Sequence, residues 1–348
     1  MSFSLFYGVQ TSEGYLSLSE INDYLMNDIP VSVRSENSNG LIKKINFVGN
    51  QKTKILSLED KSTFECSYNH RFKKLTSNGL DWVCADQLSV GDYILYSSLP
   101  AIFPQTSLTP HGKYAYFYGK CLSECGYIPE FINKYSVHDL CMFLSGVFSD
   151  CGHINLNKDY NSIGIAFSIY NSNYNVVYYL QRVFYDLGLT SRIFYPNNYQ
   201  CFLRIKDMYS IEKFAQYINI NDWISKIRIN DYLAYKYSDP DYDRSSRSLM
   251  LNNARDLLEK YCAKHGILNK VFLFRTSNRG DTISLGKFLY VHDTLGYSFE
   301  DSPVLNYLYN LKCYTMQIRD ISDSESECGN IELYNASSYT LNGMIHSC

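Results

Sequence analysis

Over the first hundred positions, short stretches in which apolar and polar residues alternate are set apart by turn residues. Val9-Gln10-Thr11 leads into Ser12-Glu13-Gly14, and Val31-Ser32-Val33, Ile42 to Val48 and Lys54 to Leu58 follow, with Ile45 and Phe47 two apart. A period of two puts successive side chains on opposite faces of an extended chain, so this spacing predicts half-buried strands. Trp82-Val83 and Gly91 to Leu95 close the stretch, and a compact all-β unit is predicted up to about Leu99.

In the middle of the chain the period changes. Leu140, Phe143, Leu144, Val147 and Phe148 recur at helical spacing, as do Val176, Val177, Leu180, Val183, Phe184 and Leu187. Between them Ile163, Ile165, Phe167 and Ile169 alternate with Ser162, Gly164, Ala166 and Ser168, a strand with one apolar and one small, polar face. Another strand is predicted from Tyr199 to Ile205 and another helix from Ile211 to Tyr217. Helix, strands, helix, strands, helix is the order of a sheet with its helices packed on one face.

Ser238 to Arg247 reads as a polar linker, and Ala254 to His265 as a helix stopped by Gly266. Val271 to Phe274 and Phe288 to Val291 look like strands, and Tyr314 to Cys348 returns to β character, with Asp323 to Gly329 as an acidic loop. β segments therefore occupy both ends, with an αβ unit between them. If the two β segments share one domain, the chain ends meet.

A net charge of −3 over 348 residues gives no global electrostatic case for nucleic acid, so any such contact needs a local basic patch. No apolar run approaches the roughly 18 residues needed to span a bilayer, and Met1 to Leu5 lacks the basic and apolar regions of a signal peptide. Eleven cysteines, an odd number without a CxxC pair, read as reduced thiols in a cytoplasmic setting. Cys121, Cys125, Cys141 and His138 fit no common zinc spacing, and the cysteines are expected to behave mostly as small buried hydrophobes.

Two short segments carry candidate chemistry. The chain closes on Asn342-Gly343-Met344-Ile345-His346-Ser347-Cys348, an Asn-Gly turn followed by a histidine near a thiol. Cys66-Ser67-Tyr68-Asn69-His70 ends a strand-like run. A thiol or hydroxyl can attack an acyl group, and an imidazole can move the proton that the attack displaces. A turn histidine bonded to backbone is the plain alternative for either segment.

Taken in order, these segments resemble an intein carrying a LAGLIDADG homing endonuclease. Ser2 through Gly14 is similar to the first splicing block, with Ser2 seven residues before Val9 and Met1 as flank. Ser67 to His70 resembles the Thr-x-x-His block with Ser for Thr, and Leu88 to Tyr93 the strand after it; Ser338 to Cys348 resembles the last block. Phe143 to Ile154 resembles a LAGLIDADG motif, and Tyr116 to Ile128, with Gly119 and Glu124, the helix of an earlier repeat. About 27 positions separate Gly119 from Gly146, too few for a complete first repeat. The resemblance implies a mostly β Hint horseshoe from residues 1–100 and 306–348, interrupted by an α+β LAGLIDADG-like domain at 101–240, with 241–305 as insert or linker.

The resemblance also implies roles. Ser2 would be the upstream nucleophile; Ser67 would orient the scissile bond and His70 protonate the leaving nitrogen, with Asn69 of the same block as a further catalytic candidate. His346 would assist the last cleavage and Cys348 would attack the upstream ester. Ser347 stands where the family has Asn; lacking an amide, it cannot cyclise, so splicing is expected to stall. A register shifted by one, with Cys348 in the Asn position, remains open. Flanking extein segments are the partners, and no cofactor is needed for splicing.

The endonuclease would use Mg²⁺ held by acidic residues, with Glu124 and Asp150 as candidates, but Cys151 occupies the expected ligand position and thiols suit Mg²⁺ poorly. Decay of the nuclease is expected. Arg192, Arg204 and Lys206 could still meet phosphates of double-stranded DNA. The other readings are an active LAGLIDADG DNA endonuclease and a Hint domain that only cleaves.

Overall fold

A computed structural model describes residues 2–36, 38–109, 112–156, 163–170, 174–195, 200–220, 222–238, 249–266, 282–293 and 295–348, apart from some side chains. The fold is sheet-rich, and twelve of the described strands join in one large antiparallel sheet. Its spine is the pairing of Asn39–Leu58 with Cys313–Leu333, which runs from Ile318 opposite Leu58 to Leu333 opposite Ile42. The two chain ends thus share one sheet. Phe3–Ser4 lies between Thr63–Ser67 and Cys313–Leu333, while Met344–Ser347 lies against Arg71–Thr76 and Tyr93–Ser97.

Four predicted elements need correction. The N-terminal region is not all β: Leu18–Met26 is a helix. Ser17 and Glu20 form a reciprocal capping box, and Leu18 and Ile21, three apart, are the residues it buries. The predicted acidic loop Asp323 to Gly329 is continuous strand within Cys313–Leu333, because its acids face lysines across the ladder. Asp323 opposes Lys54, with Nζ 2.7 Å from Oδ1, and Glu325 opposes Lys52. The predicted strand at Phe288 to Val291 belongs to the helix Leu285–Asp293; Leu285, Phe288 and Val291 recur every three residues and bury together. Short apolar runs of this kind do not distinguish the two periods. The single helix predicted from Tyr116 is two short ones, Ala115–Lys120 and Leu122–Cys125, ended by Gly126 at φ +69°. Val271 to Phe274 and most of the predicted linker lie outside the described residues.

The central unit follows the predicted order. Its sheet runs Gly152–Leu156, Ile163–Tyr170, Gln200–Ile205, Arg192–Phe194, and the helices Val137–Cys151, Tyr174–Asp186 and Met208–Tyr217 cover one face. Ile165, Phe167, Leu203 and Ile205 point into that core with Phe148, Phe184 and Phe214. Gly119 and Gly146 let two helices touch backbone to backbone: a Cβ at Gly119 would come 1.9 Å from the Phe143 carbonyl oxygen, and one at Gly146 2.0 Å from that of Tyr116.

A third apolar cluster joins residues of 249–266, 282–293 and 295–311 to Leu75, Leu95, Cys313 and Ile345 of the large sheet. The central unit also meets the large sheet through buried polar groups. Asp60 accepts from the Tyr185 hydroxyl and from Gln181 Nε2, and its carbonyl accepts from Ile193 N. No described helix is long and apolar enough to cross a membrane.

Candidate functional site

Strand alternation decides which side chains reach the point where the chain ends meet. Along Met344–Ser347, Met344 and His346 face one way and Ile345 the other; Ile345 joins the third cluster, while His346 turns toward Phe64 and Phe72. Asn342 and Gly343 take φ +51° and +80° in the turn before it, the left-handed pair that a tight hairpin needs and that an Asn-Gly sequence accepts readily. On the other side, Thr63–Ser67 ends in a turn closed by His70 N donating to Ser67 O at 3.0 Å, which swings the His70 ring inward.

The two histidines touch. His70 Nε2 and His346 Nδ1 are 2.7 Å apart and both rings are fully buried. Tyr339 stacks on His346 at 5.6 Å between ring centroids, and Phe64 and Phe72 complete an aromatic wall around the pair. Burial pushes the His70 pKa well below its ordinary value, His346 lowers it further and the Ser2 backbone opposes the shift. Burial lowers His346 to about 3, with the Leu341 backbone opposing. Both rings are therefore neutral at pH 7. His70 Nδ1 and His346 Nε2 are buried without a hydrogen-bond partner among the described residues.

Ser2 sits beside this pair, 4% exposed. Its backbone N donates to Ser67 Oγ at 3.2 Å, and Ser67 N donates to Ser2 O at 3.0 Å. The Ser67 hydroxyl has one proton and two acceptors in reach, Ser2 O at 2.9 Å and Asn69 Oδ1 at 2.7 Å. Ser67 thus grips the amide nitrogen and carbonyl of Ser2 itself, and Asn69 holds Ser67. Among the predicted residues, Ser2, Ser67, Asn69, His70 and His346 are brought together.

No family model matches the chain, and no curated protein does. Its likeness is to solved inteins. The G-1F mutant of the Ssp DnaB mini-intein variant M86 is 16% identical over 28% of this chain and 61% of that one, with a TM-score of 0.23. A DnaB intein from Synechocystis sp. PCC 6803 is 19% identical over 28% of this chain and 68% of that one, also at 0.23. The VidaL intein is 21% identical over 24% and 55%, at 0.21. The chain spans less than two thirds of the first and third of these.

The C-terminal pair lies at the edge of the site. Cys348 packs against the core of the large sheet, and its N donates to Ser337 O at 2.9 Å. Burial pushes its thiol up to about 11, with the Leu333 backbone opposing and Glu36 and Glu332 adding to the rise, so it is protonated at neutral pH. Ser347 Oγ donates to Cys348 O at 3.4 Å. The sequence reading missed the aromatic wall and Cys328, whose thiol lies against the Ser2 hydroxyl and is raised by burial, with Ser326 and Ser2 opposing. Phe64 and Phe72 do carry a signal, since they sit at inward-facing positions of the strands that flank His70.

The nuclease candidates are not gathered into this site. Asp150 is half-buried at the end of Val137–Cys151, and Cys151 Sγ donates to Val147 O at 3.4 Å. Burial, then Asp150, pushes that thiol up to about 12. The Glu124 side chain lies outside the described residues. Among the described residues no three His, Cys, Asp or Glu side chains form a metal cage, and Cys121 and Cys125 are exposed while Cys141 is buried. Arg192 and Arg204 are register partners on the uncovered sheet face; Arg192 pairs with Glu59 at 3.3 Å and exposed Lys206 follows on the same side.

The histidine pair sets an acid limit on stability. Both rings have folded pKa values below the unfolded value of about 6.5, so stability is complete above that pH. It is lost as pH falls toward the folded values, because the unfolded chain takes up protons that the folded one refuses. Each ring adds a slope of up to about 1.4 kcal/mol per pH unit. Melting temperature is expected to fall between pH 6.5 and 4, less steeply in His346→Gln; equal slopes in the two proteins would contradict the burial assigned to His346.

Proposed function

We propose that the chain is a self-splicing domain of the intein type, a Hint horseshoe of residues 1–100 and 306–348 interrupted by a LAGLIDADG-like unit at 101–240, with 241–305 between. The observation that carries this reading is the buried 2.7 Å contact of His70 with His346, 276 positions away, beside the Ser2–Ser67 hydrogen bonds. Flanking host-protein segments would be both substrate and product.

With the His70 Nε2 proton donated to His346 Nδ1, the lone pair on His70 Nδ1 is the base. It takes the Ser2 hydroxyl proton as Oγ attacks the carbonyl carbon preceding Ser2 and a C–O bond forms. The same proton passes to the Ser2 nitrogen as the C–N bond breaks, leaving an ester and an amine. Burial that disfavours the imidazolium makes the transiently charged ring a strong acid toward that nitrogen. Ser67, bonded to the amide N–H, holds the bond in place through the exchange. Cys348 would then lose its thiol proton and attack the ester carbonyl carbon, returning Ser2 to its hydroxyl. The last cleavage needs a side-chain amide at 347 to attack the backbone carbonyl, and Ser347 has none.

Hydroxylamine tests the first step, since it intercepts an ester and not a peptide. Fused behind a reporter, the chain is expected to release that reporter as a hydroxamate, and Ser2→Ala is expected to abolish release. Equal release from both would refute the nucleophile.

The central unit reads as a homing endonuclease that has lost its chemistry. Cys151 does not fit Mg²⁺: its thiol stays protonated and donates to a carbonyl. With Mg²⁺ or Mn²⁺, no site-specific cut is expected in DNA that carries the uninterrupted host-gene site. Residual binding through Arg192, Arg204 and Lys206 would weaken steeply with salt. Double-strand cleavage that disappears in Asp150→Asn would overturn the loss.

A further inference from the structure

Helix Tyr174–Asp186 of the central unit buries two faces. Val176, Val177, Leu180, Val183 and Phe184 fill the core of its own unit. Gln181 with Tyr185, and Arg182 with Asp186, form a polar stripe at i, i+4 spacing beside them. The polar face of such a helix ordinarily meets water. Here Gln181 is 2% exposed, Tyr185 4% and Asp186 5%, because the large sheet covers the stripe.

The stripe touches each of the three segments that assemble the candidate site. The first is the turn that leads into Thr63–Ser67. Asp60 in that turn accepts from the Tyr185 hydroxyl and, at 3.3 Å, from Gln181 Nε2, and its carbonyl also accepts from Gln181 Nε2 at 3.2 Å. The strand it enters ends on Ser67, which grips Ser2. The second is the start of the chain. The Arg182 guanidinium lies 3.4 Å over the Tyr15 ring, and the Tyr15 hydroxyl accepts from Gly8 N at 3.0 Å, shortly after Ser2. Asp186 Oδ2 and Asn133 Oδ1 accept from the same guanidinium at 3.4 and 3.3 Å, which fixes its plane. The third is the Asn342-Gly343 turn ahead of His346. The Tyr185 and Tyr96 rings are 5.9 Å apart, and a Cβ at Gly343 would lie 3.4 Å from Tyr185 Cδ1 and 3.0 Å from Tyr96 Cδ1.

Apolar packing alone would join the two units without fixing one register between them. A buried set of satisfied hydrogen bonds rigidifies the contact and specifies a single geometry. The strands then carry that geometry to the site. Thr63–Ser67 is laddered to Asn39–Leu58 on one side and to Phe3–Ser4 on the other, so a shift at Asp60 moves Ser67 with it. A misplacement of about 1 Å at a reacting centre can cost on the order of 10²-fold in rate.

We infer that the last two turns of helix Tyr174–Asp186 are a positioning element of the splicing centre, with Tyr185 and Arg182 as positioning residues that act through Asp60, Tyr15 and Gly343. The central unit is then a working part of the splicing machinery and not a passenger in it. This inference rests on the splicing reading.

Hydroxylamine release from the full chain fused behind a reporter tests it, timed well below the first unfolding transition of each protein. Tyr185→Leu removes both the bond to Asp60 and the ring against Gly343, and is expected to slow release by about tenfold or more. Tyr185→Phe keeps the ring and loses only the bond, so its release is expected to slow by about threefold, and that of Arg182→Met by about three- to tenfold. Phe214→Leu provides the control. It trims the core of the central unit away from the stripe, and is expected to lower the melting temperature at least as much as Tyr185→Phe while release stays within about twofold of the parent. If Tyr185→Leu does not fold, Tyr185→Phe and Arg182→Met decide. Parent-like release from those two, or equal slowing in Phe214→Leu, would overturn the inference and leave the splicing reading standing. No release from the parent would remove both.

Discussion

Replacing His70 with Ala is expected to slow hydroxylamine release of an upstream reporter by on the order of 10²-fold or more, the scale of a lost acid–base catalyst. The effect belongs to one atom. His70 lies against the Ser2 backbone, and its Nδ1 is buried with no hydrogen-bond partner among the described residues. The variant also removes a fully buried ring packed against Phe64 and Phe72 and leaves His346 Nδ1 without its 2.7 Å partner. A stability loss of about 1–3 kcal/mol is expected from the unpaired group alone, more than a surface turn histidine would cost. His70→Gln separates the two effects. Its amide keeps a hydrogen bond toward His346 but cannot carry a proton, so release is expected to stay slow while the melting temperature recovers. Full release by a folded His70→Gln would return His70 to a packing role.

Much of the site was legible because its pieces are local. The seven-residue gap from Ser2 to Val9, the Ser67 to His70 spacing and the Asn342-Gly343 turn each lie within one short segment, and short spacings survive folding unchanged. The partner of His70 was not legible. That His346 meets it depends on the register of Met344–Ser347 against Arg71–Thr76, where His346 opposes Phe72, and a slip of one residue would turn His346 to the other face. The central unit was legible in outline because its apolar residues hold a clean 3.6 or 2 period over many positions. The misreadings share a cause. Asp323 to Gly329 looked like a loop because nothing local tells an acidic strand that its partner carries Lys52 and Lys54. Phe288 to Val291 was too short to show its period.

Ser347→Asn has the other large effect, since it is expected to restore a reaction that, on the proposed mechanism, the unaltered chain would leave unfinished. In the proposed reaction, ester formation at Ser2 and transfer to Cys348 would both be reversible exchanges of acyl group and proton. Release requires a side-chain nitrogen at 347 that attacks its own backbone carbonyl carbon, closes a five-membered imide and expels the nitrogen of the next residue. Serine offers an oxygen at a shorter reach and no such ring. His346, one residue before, keeps Nε2 free among the described residues to serve that step. The neighbouring position provides the control. If the register is shifted by one, Cys348→Asn restores the reaction and Ser347→Asn does not.

The most direct measurement is the intact mass of the products when the Ser347→Asn chain is placed between two reporter domains. The expected result is a ligated pair of reporters joined by a peptide bond, together with the excised chain, and neither from the unaltered Ser347 protein. Ligation by the unaltered chain, or none from either Asn variant while the proteins remain folded, would contradict the splicing account.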